Sequence, residues 1–382
     1  MSFPLENFRV LDLSQAVSGP FAGRMLTDLG ADVVHVEWPR GDVSNAFGRQ
    51  VGGVTGLFTQ MNAGKRGISG DLSSPRGVAL IARLAGRADV VIENFRPGVL
   101  DRAGLGYATL SIENPGLIML SISGFGATGP ESQRQAYAPI IHAESGLLSR
   151  QATHDERPAT DIALALADSL AALHGTVAVL AALTLRARTH TGQHIDLSML
   201  DAMIATDDYV HYAADCVDDY SLQRGEIWDA PGGPMMIAGD AKLIWSRVSA
   251  RAALTDPAPK ADLPTKIAAR RAAIADWIAS FAERSELITE LIAANLPWAD
   301  LRSSETLLDS PSVKARNVFA TVDNGEGGER SVVRMPYRFS DARCDVRGPA
   351  PTRGHDNHDV FAEWLDLTKD DVAALAAEGV LR

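Results

Sequence analysis

Phe8-Arg-Val-Leu-Asp-Leu-Ser-Gln-Ala-Val-Ser-Gly-Pro20-Phe-Ala-Gly-Arg-Met-Leu-Thr-Asp-Leu-Gly30-Ala-Asp-Val-Val-His-Val-Glu37 decides the fold class of this chain. Phe8 to Leu13 reads as a strand, and Ser14 to Gly19 as a loop. Pro20 suits the first position of a helix, where its missing N–H costs nothing. That helix runs from Phe21 to Leu29, and Gly30 stops it. Asp32 to Glu37 is a second apolar strand. The pattern then repeats. Ser74-Pro75 opens a helix that reaches Leu84, Gly86 closes it, Asp89 to Ile92 is a strand, and Leu117 to Ser123 is another. Strands alternating with helices predict a parallel sheet flanked by helices. Ligands of such sheets sit beyond the carboxyl ends of the strands. The loops Ser14–Gly19, Glu93–Pro97 and Gly124–Pro130 are therefore the places to look.

The second half has a different character. Asp207 to Asp219 is polar, with Tyr209, Tyr212 and Tyr220 in or beside it, and Trp228 to Met236 is rich in Gly and Pro. Thr265 to Ala294 reads as strongly helical, Asp323 to Arg330 as an exposed turn, Ser331 to Phe339 as extended, and Asp370 to Glu378 as a terminal helix. The expected organisation is an α/β chain: a large domain with a Rossmann-like sheet over residues 1–205, a linker over 206–225, a smaller α/β domain over 226–320, and a return to the large domain over 321–382.

The chain has 382 residues with 36 Lys+Arg and 48 Asp+Glu, a net charge of −12. An acidic chain without a long basic run is a poor nucleic-acid binder. Two distant cysteines, Cys216 and Cys344, suggest neither a disulfide framework nor a zinc site. They fit a reducing compartment. The N-terminus lacks a cationic segment followed by an apolar stretch, so no signal peptide is expected. The apolar run Leu170 to Leu185 falls short of the ~20 residues of a membrane span and reads as a core helix. The expected location is cytoplasmic, with no membrane and no metal.

Asp168 stands directly before that apolar run. Asp is a preferred helix N-cap, because its oxygen accepts a bond from an N–H of the first turn. It is also a nucleophile when ionised, and a helix N-terminus favours the ionised form. The two roles are compatible. Gly124-Phe-Gly126-Ala-Thr-Gly129 matches a dinucleotide fingerprint, but Pro130-Glu-Ser-Gln-Arg-Gln follows it without helical apolar spacing. The fingerprint requires a helix at that point, so a loop is the better reading.

Several motifs in order resemble the family III CoA-transferases of the CaiB/BaiF, formyl-CoA transferase-like type. They are Val10-Leu-Asp-Leu-Ser14 with Ser18-Gly-Pro20, and Leu29-Gly-Ala-Asp-Val-Val-His-Val-Glu37 with Gly41-Asp42. Asn62-Ala-Gly-Lys65-Arg66 and Asp71-Leu-Ser-Ser-Pro75-Arg-Gly77 follow, then Asp89-Val-Val-Ile-Glu93-Asn94-Phe95-Arg96-Pro97-Gly98 and Leu105-Gly106-Tyr107. Ser121-Ile-Ser-Gly124-Phe-Gly126 leads into the Asp168 segment. The resemblance covers most of the chain and is densest over residues 8–201.

The resemblance implies that Asp168 attacks an acyl-CoA thioester. It implies that Asn94, Phe95, Arg96 and Arg102 line the adenine and phosphate end of CoA, with Arg40 a further phosphate partner. Val17 and Ser18 fall beside the pantetheine and thioester, Asp71 and Leu72 at backbone contacts to the nucleotide, and Tyr137 near the reacting centre. Gly232-Gly233-Pro234 matches what remains of a closing loop in the family, and its other reading is a plain turn. Val17 replaces a glutamine found in some members, which leaves the acyl group open. Arginine suits phosphate on independent grounds, because its fork donates paired hydrogen bonds. Lys65 and Arg66 read as solvated residues before a helix and stay outside the site.

The resemblance further implies an interlocked homodimer. Acyl-CoA and a carboxylic acid are the expected substrates, with no permanently bound cofactor. An α-methylacyl-CoA racemase is the first alternative. Those enzymes pair the aspartate with a histidine, where this chain has Tyr137, and His142 lies out of register as a packed helix residue. A tyrosine of ordinary pKa near ~10 is the poorer proton shuttle at neutral pH. A CoA-binding protein without catalysis is the third reading.

Overall fold

The computed structural model describes residues 1–216 and 225–381. The stretch expected as a linker includes Asp219 and Tyr220, which lie outside the described residues. The chain divides into two compact units, Met1–Val210 with Asn317–Arg382, and His211–Arg316.

The large unit is built on six strands: β1 (Arg9–Asp12), β2 (Asp32–Glu37), β3 (Arg66–Ser69), β4 (Val90–Glu93), β5 (Ile118–Ser123) and β6 (Gln193–Ser198). Their order across the sheet is β3-β2-β1-β4-β5-β6 and every pairing is parallel. Alternation along each strand sends neighbours to opposite faces. Val10, Val33, Ile92 and Leu120 enter one core, and Leu11, Val34, Val91 and Met119 the other. Both faces are covered, as a parallel sheet requires. Helices α1 (Ser18–Asp28) and α4 (Leu166–Thr189) cover the first. Helix α2 (Pro75–Ala85) and a helix near the C-terminus, Asn357–Leu365, cover the second. A short helix, α3 (Ala138–Glu144), packs beside α4. The edge strand β3 is closed by side chains, since Gly67 and Ser69 donate their N–H groups to Asp356 and Asn357. Such closure removes an unpaired edge.

Local details differ from the sequence reading. Helix α1 begins at Ser18, so Pro20 is its third residue rather than its first. The strongly helical stretch Thr265 to Ala294 is made of two helices, Leu263–Ala279 and Arg284–Ala293. Of residues 331–339, read as extended, only 331–333 are strand; that strand, Glu329–Val333, also takes in two residues read as turn and forms a hairpin with Phe319–Asp323. Helix α4 has 24 residues, and an 18-residue window of it has a mean hydropathy of 1.6, long and apolar enough to span a bilayer. Its sheet-facing residues, Ala171, Gly175 and Val179 among them, are buried in the core instead. Gly175 permits this close approach, because a Cβ there would meet Leu120 of β5 at 2.9 Å.

The small unit carries a three-stranded antiparallel sheet, with strands β7 (Gly225–Ala230), β8 (Gly233–Ala238) and β9 (Trp298–Asp300) in the order β9-β8-β7. Its helices close over a core of Trp228, Met235, Ile237, Ile274, Ile278 and Leu287. Pro231 and Gly232 form the hairpin turn between β7 and β8, and Gly233 opens β8 opposite Ala230; Gly232 and Gly233 have φ of 79° and 119°. Arg284 holds that turn, donating to Pro231 O at 2.8 Å and Gly233 O at 2.9 Å while pairing with Asp300.

Candidate active site

The strand order reverses between β1 and β4, and the crevice beyond their carboxyl ends is where an open parallel sheet binds ligands. A cavity of about 540 Å³ opens there. Its lining comes from the loops after β1 (Gln15, Ala16, Ser18), β4 (Asn94 to Pro97) and β5 (Ser123, Gly124), with Asp168 and Met199 behind them.

The loop after β1 is forced into shape. Ala16 has φ of 68°, a left-handed conformation that costs a non-glycine residue roughly 1–2 kcal/mol. Bonds on either side over-determine it. Asn94 of the β4 loop accepts the Gln15 N–H at 2.9 Å and donates to Gln15 O at 2.7 Å and to Ser18 Oγ at 3.2 Å. Asp42 accepts the Ala16 N–H at 3.2 Å. Below the loop, the fully buried Lys65 donates to Asp12 at 2.7 Å, to Pro20 O at 2.8 Å and to Asn62 at 2.8 Å. Burial alone would raise the Asp12 carboxyl, but Lys65 and His35 hold it well below the usual carboxylate range. Lys65 and Arg66 are thus not solvated residues. The first anchors the end of β1, and the second opens β3 and pairs with Asp32 and Glu363.

Asp168 is the third residue of α4, whose N-cap is Ala165, so it is not the cap. Two helix N-termini meet at its carboxylate. Ser18, the first residue of α1, lines the same cavity, and its N–H and hydroxyl, with the Asp168 N–H from α4 itself, favour the charged carboxylate. Burial raises the Asp168 carboxyl above its ordinary value, and the Ser18 N–H and hydroxyl and its own N–H oppose that rise. Helix N-termini favour an anion by dipole and by free N–H groups. The result is a carboxylate withdrawn from water yet supplied with donors. Gly19 lets α1 pack closely on the loop after β1, since a Cβ there would lie 2.2 Å from Ser14 Cβ.

Arg96 and Arg102 are exposed at the cavity's rim, and among the described residues no protein acceptor holds either guanidinium. Arg134 also lines the cavity, but Glu131 and Glu144 pair with it. The cavity therefore has two cations open to an anionic ligand and one already neutralised. Phe95 presents its ring beside Trp38, with centroids 5.9 Å apart. Glu93, just before, is pushed up to about 7 by burial, against bonds from Ser121 and the Phe95 N–H.

The structure brings together Ser18, Asn94, Phe95, Arg96, Arg102, Tyr137 and Asp168 in one cavity. Val17 is the N-cap of α1 and adjoins it. Arg40, Asp71 and Leu72 are not among its lining residues. Asp71 is buried and accepts the Ser73 N–H and hydroxyl, and Leu72 packs against the core that also takes Trp38 and Phe95. Gln15, Ala16, Val43, Ser123, Gln133, Arg134 and Met199 line the cavity without having been singled out from sequence. Among the described residues no cluster of His, Cys, Asp and Glu could hold a metal.

The profile of CoA-transferase family III matches residues 5–357. A succinyl-CoA–D-citramalate CoA-transferase of Chloroflexus aurantiacus is 31% identical, covering 99% of this chain and 98% of its own. A formyl-CoA:oxalate CoA-transferase of Streptomyces avermitilis is 30% identical over 100% of both chains. The crystal structure of a CaiB/BaiF family protein from Brucella suis superposes with a TM-score of 0.80 at 30% identity, covering 95% of this chain and 100% of that one. This chain belongs to CoA-transferase family III and is an enzyme that transfers CoA.

Proposed function

We propose that this enzyme moves CoA from an acyl-CoA to a free carboxylic acid through covalent intermediates on Asp168. The observation that carries the proposal is the meeting of two helix N-termini at one withdrawn carboxylate inside the cavity. The Asp168 oxygen attacks the thioester carbon and the C–S bond breaks, giving a mixed anhydride and CoA thiolate. The thiolate attacks the aspartyl carbonyl, releasing the donor carboxylate and leaving an aspartyl-CoA thioester. The acceptor carboxylate attacks that carbonyl, and the freed thiolate then takes the acceptor's acyl carbon, restoring Asp168. Every nucleophile is an anion, so no step requires a general base. Attack on the aspartyl carbonyl develops an oxyanion in the cavity that Ser18 also lines, where its N–H and hydroxyl would stabilise it.

In this reading Arg96 and Arg102 take the phosphates of CoA, and Phe95 the adenine end. Arg40, Asp71 and Leu72 serve the nucleotide from outside the cavity lining. Racemisation would need a second proton shuttle, and the cavity's described lining contains no histidine. Two copies assemble as a dimer, interlocked as the family resemblance implies. Leu173, Val177, Ala181 and Thr184 form an exposed, largely apolar stripe along α4 that supports such an interface. The substrates and two free thiols fit a reducing cytoplasm. Asp168→Asn tests the reading: the variant should fold and bind CoA but lose transfer by several orders of magnitude. A variant with full transfer activity would refute it.

A further inference from the structure

Helix α4 begins without a cap of its own, since Ala165 has no side-chain oxygen. The acceptor comes from α3. His142 is 1% exposed, and its Nε2 accepts the Ala167 N–H at 3.2 Å. Its Nδ1 lies 2.8 Å from Asp161 Oδ1. An N–H pointing at Nε2 requires a lone pair there, so the ring proton sits on Nδ1 and is donated to Asp161. Asp161 is anchored in turn, its Oδ1 also accepting the Ile162 N–H at 2.9 Å. The bond to His142 holds the Asp161 carboxyl below its usual range.

An Asp–His pair one residue from a nucleophile has the look of a general-base pair. Its orientation is wrong for that role. The ring faces a backbone N–H, and His142 does not line the cavity. A carboxylate nucleophile also has no proton to surrender. What the pair does instead is fasten Ala167, the second residue of α4, and Asp168 is the third. Fixing the second residue fixes the direction in which the third presents its carboxylate to Ser18.

We propose that His142, braced by Asp161, is a positioning residue that supplies the missing cap of α4 and thereby aims Asp168 at the thioester. The inference rests on Asp168 being the nucleophile. Without the acceptor, the first turn of α4 has a buried N–H to satisfy and frays. A misplacement of about 1 Å in reacting groups costs up to roughly 100-fold in rate.

The test uses the full-length enzyme and its turnover of succinyl-CoA, formyl-CoA or acetyl-CoA, whichever the wild type uses fastest. His142→Leu fills the space without an acceptor, and kcat should fall about 10- to 100-fold with KM for the acyl-CoA within about twofold. His142→Gln carries one acceptor and one donor and should restore kcat to within about threefold of wild type. Asp161 is half-exposed, so Asp161→Ala should fold whatever its effect on rate. It should lose about three- to tenfold in kcat, and Asp161→Asn, whose amide oxygen still accepts from Nδ1, should not. Deuterium exchange of the peptide spanning 162–172 should accelerate in His142→Leu and Asp161→Ala but not in their conservative partners. Asp168→Asn is measured alongside. An active Asp168→Asn would remove the nucleophile reading itself. An inactive Asp168→Asn, with His142→Leu and Asp161→Ala at wild-type kcat and unchanged exchange, would overturn the positioning inference alone. Equal losses in His142→Leu and His142→Gln would also overturn it, and if His142→Leu does not fold, the Asp161 pair decides.

Discussion

Ser18→Ala removes one hydroxyl and is the most informative conservative change in the cavity. Ser18 Oγ accepts from Asn94 Nδ2 at 3.2 Å, and its hydroxyl favours the charged form of Asp168. A hydrogen bond to a charged group contributes about 1.5–3 kcal/mol. Losing the hydroxyl disfavours the ionised carboxylate, so the Asp168 pKa should rise further. In the proposed mechanism only the ionised form attacks. The acid limb of the kcat–pH profile should therefore move to higher pH. The plateau should also drop if the hydroxyl stabilises the oxyanion formed during attack on the aspartyl carbonyl. Removal of one such donor costs about 100-fold. The assay is steady-state transfer across pH, with CoA affinity measured separately to confirm an intact nucleotide site. An acid limb displaced by less than about 0.3 pH unit, equivalent to roughly 0.4 kcal/mol, would show that the hydroxyl does not act on Asp168.

Other outcomes follow from the same geometry. Arg96→Ala and Arg102→Ala should each weaken CoA binding by calorimetry about tenfold or more, since a charge-assisted bond contributes roughly 1.5–3 kcal/mol; unchanged affinity in both would remove them from the site. The rise of the Glu93 carboxyl from 4.5 to about 7 means its protonated form stabilises the fold fully below pH 4.5, and that stability is lost as pH climbs through 7. Glu93→Gln, fixed in the protonated-like state, should match wild type in denaturant unfolding at low pH and exceed it by about 3 kcal/mol above neutrality; a constant difference across pH would refute this. Val177 is 66% exposed on α4, so Val177→Asp should shift sedimentation from dimer toward monomer. A wild type that sediments as a monomer at micromolar concentration would sink the dimer proposal.

Much of the fold was legible because its signals are local. Val10/Leu11 and Val33/Val34 alternate between two buried faces, Ser74-Pro75 caps and opens a helix, and Gly86 ends it. The motifs carrying the family resemblance also led to seven residues that share one cavity. The details that escaped depend on contacts distant in sequence. Lys65 stands in a polar setting along the chain, and only the fold brings Asp12 and Pro20 O to it. Asn94 was expected at the nucleotide, yet its amide joins the β4 loop to Gln15 and Ser18, nearly 80 residues earlier in the chain. His142 read as a packed helix residue, which its burial matches, but its bonds to Asp161 and Ala167 cross three segments. The start of α1 at Ser18 rather than Pro20 had one local signal: Ser18-Gly19 precede the proline and tolerate a helical first turn as readily as a loop.

The central claim is that Asp168 carries the acyl group and then CoA. Its most direct test is mass spectrometry of protein quenched during turnover with an acyl-CoA that the wild type uses. The account predicts a mass increase on the peptide containing Asp168, removable by hydroxylamine, present in wild type and absent in Asp168→Asn. Wild-type enzyme that turns over without any adduct on that peptide, together with an Asp168→Asn variant that remains fully active, would contradict it.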